Sequence, residues 1–330
     1  MTWPCNAVFN SFFVAGRLII RSLIDHAEVT SKPHDADLRI HVGTPEDEQA
    51  WMYAYRQEKL IAYTFAEASA IPPKWTAVLN RCREVWVPSK FSADVFASAG
   101  VQTKIRIVPL GIDVDAAPKP NINRNDPTFT ILWQGVVCRR LAGTAVVDGD
   151  RKRGYLVECA FKRANLPRTR LILKSIPLQQ PRYESRLEPI WEICETVSAA
   201  EGYAIDDATD VFVWPTMGEA FGLLPLEKLS RGITCRVTAW SGVLEYLKDF
   251  PGHSLERFSL QDFSYNGVTC QMADVDEDAL VEALRECFEG RAEIRKARRE
   301  LSEKTRDLWN FRRVMLPQVR RGVDEAMAHA

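Results

Sequence analysis

Short apolar runs alternate with amphipathic stretches over the first 113 residues, the pattern of a parallel sheet wrapped by helices. The runs predicted as strands are Leu38–Val42, Leu60–Phe65, Glu84–Val87 and Ile105–Val108, and the helical stretches between them are Ala15–Ile24 and Pro73–Arg83. Each strand runs into a loop carrying Gly, Pro or Ser, where folds of this class keep their ligands. A polar, proline-containing stretch, AAPKPNINRNDP at 116–127, then interrupts the periodicity and reads as a linker. Beyond it the alternation restarts: strand Thr128–Trp133, helix Gly154–Ala164, strands Arg170–Lys174 and Asp210–Trp214, helix Leu224–Ser230, strand Cys235–Thr238 and a short helix Val243–Leu247. Asp276 is placed to cap a further helix in which Leu280, Ala283, Leu284, Cys287 and Phe288 recur at helical spacing. The expected organisation is α/β, with one domain at 1–115, the linker at 116–127, a second domain at 128–305 and a helical segment at 306–330 anchored by Trp309 and Phe311.

A length of 330 residues suits two domains, and 46% hydrophobic with 26% charged residues is ordinary for a globular protein. The longest apolar stretches, such as Ala7–Ala15, fall well short of the roughly 20 residues that span a bilayer. The first residues, Met1-Thr-Trp-Pro, lack the basic start of a secretory signal, so the expectation is a cytoplasmic protein. Eight cysteines occur singly with no CxxC pair, which argues against a zinc site or a disulfide framework. A formal net charge of −1 supplies no global field toward nucleic acid or membrane. The charge is uneven, however: Arg139–Lys174 holds ten basic and three acidic residues, and Arg291–Arg321 eleven basic and four acidic. The second run reads as a solvated helical face; the first has a chemical use.

The segment Asp210–Gly232, DVFVWPTMGEAFGLLPLEKLSRG, carries most information. An apolar strand enters a loop with Gly218 and Gly222, and Pro225 stands where a helix's first turn begins. Glu219 lies in the loop and Glu227 in the expected first turn. Carboxylates accept hydrogen bonds from vicinal hydroxyls, and free N–H groups at a loop and helix start face phosphate oxygens. A nucleotide sugar has all of these parts. The plainer alternative is a glutamate that complements the helix dipole beside an ordinary loop charge.

That string resembles the signature of glycosyltransferase family four and its retaining GT-B relatives, in which a Glu-x7-Glu pattern precedes a leucine-rich helix and a glycine. Glu219, Ala220, Phe221, Gly222, Pro225, Leu226, Glu227 and Gly232 carry the resemblance, and VTAWSGVLE at Val237–Glu245 is similar to the family's next strand and turn. LIAYTFAEASAIPPKW at Leu60–Trp75, REVWVPSKFSADVFASAGV at Arg83–Val101 and IRIVPLGID at Ile105–Asp113 resemble units of the family's first domain and its hinge. The resemblance implies a GT-B architecture: two Rossmann-like domains facing across a cleft, with C-terminal helices crossing back to the first. It implies that Glu219 contacts the transferred sugar, Glu227 the ribose, and the backbone near Phe221, Gly222 and Leu223 the donor phosphates. The family's basic pair on the diphosphate falls to Lys152 with Arg139, Arg140 or Arg151, because Val136 replaces the arginine expected after Gly135 and VVCRRLAGTAVVDGD intervenes. Glu67 would face the cleft toward the acceptor or the reacting carbon. His41 and Gly43 end a predicted strand in the same cleft, and Gly16 stands near the family's glycine-rich loop.

The activity so implied is retaining transfer of a hexose-type sugar from a UDP- or GDP-type donor, without metal or other cofactor, to an unidentified acceptor: a glycan, a small molecule or DNA. A nucleotide-sugar epimerase, a transferase acting on a hydroxylated DNA base and a non-catalytic nucleotide-sugar-binding protein are the competing readings.

Overall fold

The computed structural model describes residues 11–30, 36–45, 57–122, 126–135, 151–175 and 183–328. Two parallel-stranded sheets, each covered by helices, lie in succession along the chain. The first has four parallel strands in the order β1 (Arg39–Val42), β2 (Leu60–Tyr63), β3 (Glu84–Val87), β4 (Ile105–Ile107). Side chains alternate across a strand, so Leu60 and Ala62 pack with Trp75, Val78 and Phe96 of helices α2 (Pro73–Leu79) and α3 (Lys90–Ser98), while Ile61 and Tyr63 join Leu18 and Ile19 of α1 (Ser11–Leu23) on the opposite face. Burial on both faces is why β2 and β3 read as continuous apolar runs. Helix α2 stops at Leu79, short of the expected Arg83, where Asn80 is tied to the segment that follows α3: its Oδ1 accepts from Gln102 N at 2.6 Å and its Nδ2 donates to Gly100 O at 3.1 Å.

The second sheet runs β11 (Ser254–Leu255), β10 (Thr234–Thr238), β9 (Val211–Trp214), β5 (Phe129–Gly135), β6 (Thr169–Ser175), β8 (Ile190–Cys194), β7 (Tyr183–Leu187), parallel throughout except for the edge hairpin β7–β8. Helices α4 (Gly154–Ala164), α5 (Ala199–Asp207), α6 (Leu223–Ser230) and α7 (Leu244–Leu247) connect its strands. Two hairpins escaped the hydrophobic pattern. The edge strand β7 is polar, and β12 (Phe258–Tyr265), which pairs with β13 (Val268–Val275), keeps much of its length in solvent. The turn between them, Asn266-Gly267, has φ of 52° and 77°, the chemistry of a two-residue hairpin turn.

After this hairpin come α8 (Glu277–Glu289), α9 (Arg291–Leu308), α10 (Phe311–Val314) and α11 (Leu316–Ala328). Asp276 caps α8 as expected, accepting from Ala279 N at 2.9 Å, with Leu280, Ala283, Leu284 and Cys287 buried. The chain then returns to the first lobe. Trp309 and Phe311 are buried where the two crossings meet: Ile112 N donates to Trp309 O at 2.7 Å and Phe311 N to Ile112 O at 3.0 Å. Helix α11 packs on α1, fixed by Arg320 Nε donating to Ser22 O at 2.9 Å and by Glu325 bridging Lys104 at 2.9 Å and Arg106 at 2.5 Å. No helix among the described residues is long and apolar enough to cross a membrane.

Candidate functional site

The loops that leave the carboxyl ends of β2, β9 and β10 meet between the two lobes. Their approach is close: a Cβ on Gly218 would stand 2.2 Å from Glu67 O and 2.8 Å from Trp240 Cζ3, and one on Gly242 2.0 Å from Ala220 O. Gly242 N donates to Glu219 O at 2.8 Å, and Ser241, held at φ 69°, accepts from Glu219 N at 2.9 Å. From the first lobe, Ser89 Oγ donates to Ala220 O at 2.6 Å and Lys90 N to Glu245 Oε2 at 2.9 Å. The backbone carrying Glu219 is therefore held from both sides.

Arg151 and Lys152, just before α4, enter this junction. Arg151 Nη2 donates to Glu67 Oε1 at 2.8 Å and its Nη1 lies 3.4 Å from Glu219 Oε1 while donating to Gly218 O. Lys152 Nζ donates to the same Glu219 oxygen and stands 4.4 Å from the centre of the Trp214 ring. Thr216 Oγ1 adds a 2.7 Å donation to Glu219 Oε1, and Tyr265 of the β12–β13 hairpin donates to Glu67 Oε2 at 2.5 Å. Glu219 is 6% exposed and the Glu67 side chain 30%, so the cluster of two cations and two carboxylates is buried at its Glu219 end and open to solvent at Glu67. Burial works to raise the Glu67 carboxyl, but Arg151, Lys152 and Tyr265 outweigh it and hold it below its ordinary value. Burial and the adjacent Arg151 push the Lys152 ammonium well below the usual lysine range, with Glu67 opposing.

Four sequence-expected residues, Glu67, Arg151, Lys152 and Glu219, thus lie in one hydrogen-bonded cluster. Arg139, Arg140 and Val136 lie outside the described residues. Glu227 stands apart from the cluster. Gly222, at φ 78°, starts α6 at Leu223, one residue earlier than expected, so Glu227 falls past the first turn rather than within it, and the helix dipole does not account for this glutamate. Its carboxyl has no hydrogen bond or ion pair among the described residues; burial pushes it up to about 7, against the opposing charges of Lys228 and of Arg17 on α1. Phe221 is buried against Tyr246 and Trp309, with ring centres 5.5 and 6.0 Å away, so only its backbone is offered to a ligand. Gly222 is packed beneath Val243 and Tyr246, and Leu223 opens the helix.

The early candidates are not drawn in. Gly16 lies inside α1 and belongs to a helix, not to a loop, because the apolar stripe of Ala15, Leu18 and Ile19 continues the helix through it. His41 is on the edge strand β1, its imidazole lowered to about 4 by burial, and Gly43 N donates to Tyr63 O at 3.0 Å as a continuation of that sheet. Beside Glu67 is a cavity of about 160 Å³, bordered by Thr44 rather than by His41 or Gly43 and closed by Tyr265 and Asn266 of the hairpin. Tyr265 escaped the sequence reading; its only local signal was the Asn266-Gly267 turn beside it.

No protein-family model matches the chain, and no curated protein is similar to it. Solved structures are. The sucrose-phosphate synthase tll1590 from Thermosynechococcus elongatus superposes with a TM-score of 0.61 at 13% identity, covering 100% of this chain and 82% of that one. The fold is GT-B. Anabaena HepE, solved in complex with UDP and glucose, shares this GT-B fold at TM-score 0.58 and 12% identity, over 99% of this chain and 84% of its own. So does the α,α-trehalose 6-phosphate synthase of Burkholderia multivorans, at 0.58 and 13%, over 97% and 77%.

Proposed function

We propose that this GT-B chain transfers a hexose-type sugar from a UDP- or GDP-type donor to an acceptor hydroxyl, with retention of configuration. The observation that carries the reading is the convergence of Arg151 and Lys152 with Glu219 and Glu67 at the junction of the lobes. In the donor complex the two cations leave their carboxylate partners for the diphosphate and stabilise the charge that grows on it as the bond breaks, at the buried Glu219 end of the site, where that stabilisation is strong. This is the role a metal ion fills elsewhere, and the chain's own cations suffice for it. Glu219, released, accepts from hydroxyls of the transferred sugar, and Glu227 from those of the ribose. The acceptor oxygen bonds to the anomeric carbon on the face the leaving group departs. The bond from that carbon to the phosphate oxygen breaks with its electron pair going to the nucleoside diphosphate, and the acceptor proton passes to a phosphate oxygen.

Of the second basic run, Arg295 pairs with Asp210 at 2.8 Å, Arg298 donates to Thr209 O at 2.6 Å and Arg306 to Val114 O at 2.9 Å, while Arg291, Lys296, Arg299, Lys304, Arg312, Arg313 and Arg321 are exposed; salt-sensitive binding to duplex DNA is the measurement that would favour a DNA acceptor. The test is a panel of UDP- and GDP-hexoses, with release of the nucleoside diphosphate followed by chromatography for the wild type, Lys152→Ala and Glu219→Ala. One donor is expected to be turned over by the wild type alone; equal turnover by all three proteins overturns the assignment.

A further inference from the structure

We infer that the cavity beside Glu67 binds an uncharged acceptor carrying a single ring next to its reactive hydroxyl. The word acceptor rests on the transferase reading above; the ring site rests on the cavity alone. Its volume of about 160 Å³ lies between the first-lobe loop and the hairpin tip, and its walls include Phe12, Phe65, Ile71 and Trp75, with the Phe12 and Phe65 rings 4.8 Å apart. A cavity of roughly 150 Å³ is large enough for one benzene-sized ring.

Among the described residues Glu67 is the cavity's only carboxylate, and no lysine, arginine or histidine lines it. Arg151 is tied to Glu67 through Oε1 and is not part of the lining. A phosphorylated acceptor would therefore bring a dianion against a carboxylate with no cation among the described wall residues to receive it, whereas a neutral alcohol donates its O–H to Glu67. Thr44, Tyr265 and Asn266 add neutral polar groups to the wall. The cavity thus offers aromatic rings, one carboxylate and neutral hydrogen-bonding groups.

Saturation-transfer NMR on the full chain tests this, with benzyl alcohol and benzyl phosphate as probes of one ring and opposite charge state. Benzyl alcohol is expected to bind at millimolar concentration and benzyl phosphate about tenfold more weakly or not at all, a factor typical of one uncompensated charge contact. Ala70→Trp fills the cavity and is expected to abolish the benzyl alcohol signal. Glu67→Gln keeps the shape of the wall, removes only its charge, and is expected to bring benzyl phosphate to within severalfold of benzyl alcohol, which keeps the test decisive should Ala70→Trp not fold. Equal or tighter binding of the phosphate to the wild type, or probe signals indifferent to both substitutions, overturns the site. UDP calorimetry on the same wild-type sample separates the two readings: UDP binding without benzyl alcohol binding overturns the ring site alone, and benzyl alcohol binding without UDP binding overturns the donor reading alone.

Discussion

Glu219→Gln separates the two duties assigned to this carboxylate. In the free protein Glu219 Oε1 is held by Lys152, by Arg151 at 3.4 Å and by Thr216 at 2.7 Å, with the residue 6% exposed. At 3.4 Å and an effective dielectric of 20 the Coulomb attraction to Arg151 is on the order of 5 kcal/mol before desolvation is subtracted. A charge-assisted hydrogen bond retains about 1.5–3 kcal/mol of such attraction in net terms. A diphosphate must displace the carboxylate from both cations. The isosteric amide still accepts a hydrogen bond but carries no charge, so the lower end of that range applies, and UDP affinity is expected to rise about tenfold. Transfer should fall by about 10²–10³, because the sugar loses its charged partner in the transition state. Calorimetry with UDP at low and high salt gives the first number, with the gain shrinking as salt screens the freed cations. Turnover of the best donor gives the second. A folded Glu219→Gln protein that binds UDP no tighter than the wild type refutes the competition, and one with full turnover refutes the sugar contact.

The Lys152 ammonium is lowered in the free protein by burial and Arg151, and a diphosphate beside it should raise it back toward the usual lysine range. UDP binding is then expected to take up protons and to weaken as pH rises through the free-state pKa, which calorimetry in buffers of different ionisation enthalpy measures directly. For Glu227 the folded carboxyl is raised from 4.5 to about 7, so its native state holds the extra proton and stability declines as pH climbs between those values, levelling above them. Glu227→Gln should therefore leave stability unchanged near pH 4 and increase it near pH 8 by about 2 kcal/mol, allowing for the partly exposed side chain; thermal melts at the two pH values check this. Gly218→Ala drives a Cβ to 2.2 Å from Glu67 O and should cut kcat/KM at least about tenfold by prising the loops apart, since overpacking of such a contact costs about 1–3 kcal/mol. Gly267→Ala, whose Cβ would meet no atom within 4 Å, should lose only stability, about 1 kcal/mol from its φ of 77°; equal kinetic damage in both variants contradicts the close-approach argument.

The elements that were legible are those whose burial is written into local spacing. Strands β2, β3, β5 and β9, covered on both faces, show as apolar runs, and α8 shows through its cap and its Leu280–Leu284 stripe. The edge strand β7 and the β12–β13 hairpin were lost because their exposed faces carry polar residues and give no apolar period. In the candidate site, Glu219 announced itself at a glycine-bearing strand-to-helix corner, Glu67 as a carboxylate at the end of a predicted strand, and Lys152 and Arg151 through the resemblance's basic pair. Tyr265 did not, since its partner Glu67 is 198 positions away in the chain.

By itself the sequence determined the class of each buried segment, the helix caps and the chemistry available at the loop corners, because these depend on neighbours within a few residues. Only the tertiary structure decided which corners meet. It joined Glu67 to Arg151 across 84 positions, withdrew His41 and Gly16 into sheet and helix, and closed an aromatic cavity with a hairpin tip. Those pairings depend on how two separately wound sheets pack through the crossings at Ile112 and Trp309, a long-range constraint that no window of local hydrophobic spacing contains.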